Sequence, residues 1–140
     1  MAVKKTRGVT FTHRGQLSPS NKYRPESRHA FAAKCAALLR HGVSVSIVDV
    51  VCTRRANLYR DLLDRIGQFD PLLSPTAPPL YAAACRWNPV GRSGRLETWM
   101  SVMEIGKPLP TLPLWLSPDL AVPLNLETSY EETCRVLRIS

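Results

Sequence analysis

The chain has 140 residues, of which 44% are hydrophobic and 21% charged, close to globular averages, so wholesale disorder is excluded and one domain is expected. Its 12 prolines exceed the usual ~5% and crowd the second half, which excludes a simple helical bundle. The net charge is +8, and residues 1–40 account for all of it, with nine bases against the single acid Glu26.

Taken in order, residues 1–8 form a basic terminus expected to be flexible, ahead of one domain over 9–140. Val9–Leu17 predicts a short strand, because Val9, Phe11 and His13 alternate with polar residues. Residues 18–24 carry turn chemistry. A helix follows from Pro25, suited to a first helical position because its missing N–H is not needed there. Phe31, Cys35, Leu38 and Leu39 recur at helical spacing, and Gly42 stops the helix as a residue that accepts positive φ.

Val43–Cys52 carries six β-branched residues in ten and predicts a central strand buried on both faces. If 9–17 is also a strand, the two would flank a right-handed βαβ crossover. Thr53 is placed to cap a second helix over about 54–66, ended by Gly67. After a proline-rich connection, 80–87 and 95–103 predict an antiparallel hairpin around a turn at 88–94. The five prolines between 106 and 123 predict an extended arm, barred from a central strand, with Leu112, Leu114, Trp115 and Leu116 as apolar anchors. A final helix is predicted over about 126–137, acidic toward its N-terminus and basic toward its C-terminus. The fold class is therefore α/β or α+β.

The chemistry-bearing residues are sparse. Cysteines 35, 52, 85 and 134 lack metal-ligand spacing. With no apolar leader in residues 1–30, they are expected to be reduced, in a cytoplasmic protein. No apolar run approaches the ~18–20 residues of a membrane span. The histidines 13, 29 and 41 show no paired ligand spacing, and no phosphate-cradling glycine loop or nucleophile elbow occurs. Trp87, Trp99 and Trp115 are expected in the core rather than stacked on bases. Ser18, Asn21 and Lys22 could hold an anion ahead of a helix N-terminus, although a plain turn fits them better.

Leu17, Ser18, Pro19, Asn21 and Lys22, then Ala33 and Lys34, Gly42 and Val43, and Asp49 together carry a resemblance. The segment 17–51, continued by 108–113, 122–127 and 130–139, resembles a bacterial family of unknown function with a restriction-endonuclease-like, PD-(D/E)XK-type core. The resemblance implies a truncated core of that kind, a mixed sheet with flanking helices and a proline-rich C-terminal arm. In active enzymes of the fold, an Asp and a Glu hold a divalent metal, and a lysine stabilises charge near the attacked phosphate; Mg²⁺ takes carboxylate oxygens and activates water. Here Lys34 matches the lysine, but Gly15 stands where the family has its acid, and no acid precedes Glu26. The resemblance thus implies the C-terminal portion of the family domain, with Lys34 vestigial and no cofactor.

Three readings follow. The favoured one is a non-catalytic binding or assembly domain, or a remnant. The second is an Mg²⁺-dependent nuclease completed by another chain. The third is a nucleic-acid-binding module in which Lys22, Arg24, Arg28 and Lys34 contact phosphates. Asp49, on a buried strand, is expected to be a structural acid with a partner, since burying a lone carboxylate is costly. A strand edge left open at 9–17 or 43–52 offers a route to homodimerisation.

Overall fold

A computed structural model describes residues 25–50, 57–70 and 80–139. Their order is α1 (Pro25–Arg40), β1 (Val45–Asp49), α2 (Leu58–Ile66), β2 (Tyr81–Val90), β3 (Ser93–Val102), β4 (Thr111–Ser117), β5 (Leu120–Asn125) and α3 (Leu126–Leu137). The class is mixed α/β, as expected. Both sheets are antiparallel: β1-β2-β3 and the two-stranded β4-β5. The predicted 9–17 strand, and with it the βαβ crossover and the basic terminus, lies outside the described residues.

Local signals set the helix ends. Pro25 opens α1, and Gly42, at φ 75, closes it while the Val43 N–H donates to Leu38 O at 2.9 Å, a wrap that satisfies carbonyls the helix cannot. Gly67 closes α2 in the same left-handed conformation, with Gln68 N–H donating to Leu63 O at 2.9 Å. At the other end of α2 the cap is Asn57, not Thr53: its Oδ1 accepts from Arg60 N–H at 2.9 Å. A second first-turn donor with no intrahelical acceptor, the buried Tyr59 N–H, is met by the Tyr81 hydroxyl at 3.1 Å. That bond ties α2 to the central strand as well as capping it.

The three-stranded sheet has two covered faces. On one, Val45, Ile47, Tyr81, Ala83, Cys85 and Leu96 pack against Cys35, Ala36 and Leu39 of α1 and Leu58, Tyr59, Leu62 and Leu63 of α2. On the other, Ala82, Ala84 and Trp99 pack with Met103, Leu112 and Trp115 beneath the β4-β5 hairpin. β2 therefore lies between layers, and its Tyr81–Cys85 run is buried without interruption. Among the described residues the central strand is thus β2, where 43–52 was expected. β1 is an edge among the described residues, and its alternating burial fits one well-covered face. The alanines of β2 are small enough for layers to close on both sides.

The expected arm over 106–123 is a second hairpin instead. Pro113 stands opposite Pro123 in the β4-β5 register. Opposed prolines cannot exchange ladder bonds, so they occupy a non-hydrogen-bonded pair, with their missing N–H groups on the outer edges. A two-stranded sheet consists only of edges, so proline is tolerated there. The first hairpin also turns more tightly than predicted, through Gly91 and Arg92 between the paired Val90 and Ser93, with Gly91 at φ 59.

Candidate binding cleft

The first hairpin places Arg86 directly across from Glu97 and Ala84 across from Trp99, on the face that meets β4. Arg86 Nε–H donates to Glu97 Oε2 at 2.5 Å, Asn88 Nδ2 to Glu97 Oε1 at 3.1 Å, and Arg95 to the same oxygen at 3.3 Å. Glu97 is 6% exposed, so its charge is largely withdrawn from water. Burial works against that charge, but the hydrogen bonds from Arg86 and Asn88, the Arg86 charge and the bond from Arg95 outweigh it and hold the carboxyl below its ordinary range.

Arg86 is also clamped from above. Its guanidinium carbon lies 3.8 Å from the Trp115 ring centroid and 5.5 Å from that of Trp99, and the two rings sit 5.4 Å apart at 49°. A planar, weakly hydrated cation stacks well on indole faces. The irregularity between Trp115 and Ser117 in the β4-β5 register marks where β4 departs from regular alternation, and bulges of this kind re-aim side chains. Arg86 also donates to the Pro118 carbonyl at 2.7 Å, fixing the following loop.

Beside this clamp lies a cleft of about 420 Å³ lined by Ser44, Arg86, Trp87, Asn88, Trp115 and Asp119, among others. It forms because β1 is shorter than β2. Pairing with β1 runs only from Tyr81 to Cys85, so Arg86–Val90 meet no strand on that side among the described residues. The Trp87 indole crosses Gly94 so closely that a Cβ there would fall 2.1 Å from the ring. The wall of the cleft therefore depends on a glycine.

The sequence-predicted residues stand elsewhere. Lys22 and Arg24 lie outside the described residues. Arg28 pairs with Asp61 across the α1–α2 interface at 3.2 Å. Lys34 is exposed on α1, and Asp49 is buried at the end of β1 on the helix-covered face. Among the described residues, no group of three or more His, Cys, Asp or Glu is arranged to hold a metal, and no helix is long and apolar enough to cross a membrane. Trp99 is in the core as expected, while Trp87 and Trp115 are half-buried at its margin. The Arg86–Glu97 cluster was missed. Its signal was the register: once the turn is placed at Gly91 and Arg92, an arginine and a glutamate fall opposite each other on one face.

No protein-family model, curated protein or solved structure matches the chain.

Proposed function

We propose that the protein is a non-catalytic binding domain whose cleft beside Arg86 takes an extended peptide segment of a partner protein. The observation that carries this reading is the stretch of β2 beyond Cys85, which pairs with no strand on the β1 side among the described residues and faces a cleft walled by Trp87 and Trp115. Extended peptides bind by laying their backbone along an open strand edge or by docking apolar residues between aromatic walls. Both elements are present here. Pro89 withholds an N–H on β2, so aromatic contact carries more of the binding there than a continuous ladder. Asn88, Ser44 and Asp119 supply polar contacts at the cleft.

The Arg86 clamp acts as scaffold in this reading. Its guanidinium is already committed to Glu97, to the Pro118 carbonyl and to two rings, so it orders the wall rather than capturing a ligand. Free thiols at Cys35, Cys85 and Cys134 fit a reducing compartment such as the cytoplasm.

The test is selection of displayed random peptides on the purified chain, followed by titration monitored through tryptophan fluorescence. Enrichment of an extended, apolar or proline-containing consensus is expected. Leu116→Asp, at an exposed position in the cleft lining, abolishes its binding while leaving the melt unchanged. Absence of any consensus, or binding indifferent to Leu116→Asp, refutes the reading.

A further inference from the structure

Helix α3 is poorly covered by its own domain. Its beginning is anchored: Leu126 N–H donates to Pro110 O, the Glu127 carboxylate accepts from Leu109 N–H at 2.6 Å, and Asn125 Oδ1 caps Thr128 N–H at 2.9 Å. Beyond that turn, α3 buries no residue at all. Tyr130, Val136 and Leu137 stay 58%, 64% and 61% exposed, and Ile139 just beyond the helix 58%. A helix of 12 residues is marginal in water without tertiary packing. Tyr130, Cys134 and Leu137 recur at i, i+4 and i+7, which places them on one stripe.

We propose that this stripe packs against the same stripe of a second copy of the chain, with the two α3 helices antiparallel. Charge complementarity identifies the occupant. Glu127 stands in the first turn and Glu131 at mid-helix, Arg135 and Arg138 follow at its end, and Glu132 is paired with Arg135 within the same helix. Antiparallel pairing sets the acidic part of each helix against the basic end of the other and opposes their dipoles. A parallel pair would instead set like charges side by side. Glu131 stands beside the stripe and Arg138 is the left-handed C-cap residue, at φ 55, that ends the helix; in an antiparallel pair of identical stripes each Glu131 meets the Arg138 end of the other copy. The contact is therefore isologous, closing as a two-fold dimer rather than growing into a filament.

The helix alone is short for an interface of the standard size, so the dimer is a weak one in the micromolar range. Sedimentation equilibrium of the chain over roughly 1 μM to 1 mM brackets that range. Reversible monomer–dimer exchange is expected. Leu137→Glu and Glu131→Arg each weaken it at least ~10-fold, equivalent to about 1.4 kcal/mol. Arg138→Glu added to Glu131→Arg restores it, because the reversed charges again face each other. All three side chains are exposed, and unchanged circular dichroism confirms that each variant is folded. A monomer throughout the range overturns the proposal. So does a dimer indifferent to Leu137→Glu, which would place the contact elsewhere, such as the edge of β1, or a double variant no better than the singles.

Discussion

Replacing Glu97 by Gln isolates the charge at the centre of the clamp while keeping its shape. The amide oxygen can still accept from Asn88 and Arg95, but the amide nitrogen then meets the Arg86 Nε–H, formerly bonded at 2.5 Å. The variant loses a charge-assisted hydrogen bond, sets two donors against each other and leaves Arg86 with no counter-ion on that side. Hydrogen bonds to charged groups contribute about 1.5–3 kcal/mol, and breaking a buried pair costs more than its net worth. Because Arg86 is itself partly exposed, solvent screens the loss and about 2 kcal/mol is expected. With an unfolding entropy of ~2.1 cal/mol/K per residue, a chain of this length melts about 7 °C lower. The effect depends on pH with a definite sign. A folded pKa below the unfolded value means that the unfolded chain binds more protons as pH falls. The contribution is thus fully present above the unfolded carboxyl pKa of about 4.3 and is lost as pH falls through the lower folded value. Glu97→Gln removes that part of the acid limb. Melts of both proteins from neutral pH to about pH 3 check both statements. A variant melting within ~1 °C of the parent, with an unchanged acid limb, refutes the assignment of Glu97 as the charge that holds the clamp.

Gly94→Ala forces the Trp87 indole off the strand it covers; a cost of about 1–3 kcal/mol is expected, read as a lower melt with a red-shifted tryptophan emission, and an unshifted emission counts against the close approach. Asn57→Ala removes the cap of α2 and lowers stability by about 1 kcal/mol in denaturant titration; no change would mean that Tyr81 alone secures that helix end. Burial pushes the Cys35 and Cys85 thiols up to about 12, so at pH 8 both are protonated and buried, and brief alkylation of the folded chain followed by peptide mass mapping leaves them unmodified. Rapid labelling of either would show that the helix-facing core opens far more readily than its packing implies.

What could be read from the sequence follows how local each determinant is. Pro25, Gly42 and Gly67 act on their own backbone, so the ends they mark coincide with the structure. The central strand depended on what covers each face, which no local pattern records. The 45–49 stretch, with Val45, Ile47 and Val48, has high strand propensity yet is an edge among the described residues, whereas the alanine run 82–84, unremarkable by propensity, lies between the layers. Propensity measures how a residue fits a pleated surface, not where that surface stands in the sheet. Proline in 106–123 correctly excluded a central strand, but it does not exclude a hairpin whose strands are both edges.

The same distinction governs the cleft. Arg86 and Glu97 are neighbours by hairpin register, a relation recoverable from a turn position. Trp115 reaches Arg86 only because a separate hairpin crosses the sheet and its register shifts beyond that residue. The basic excess lies in the first 40 residues, whereas the arginine at the cleft is used internally. A cation already satisfied by a buried carboxylate and two indoles contributes rigidity, and on the proposed reading that rigidity lowers the entropy the cleft itself would lose on holding a peptide. On the proposed peptide-binding reading, the first residues to vary are therefore Leu116 and Asp119 of the cleft lining, which stand outside the clamp itself.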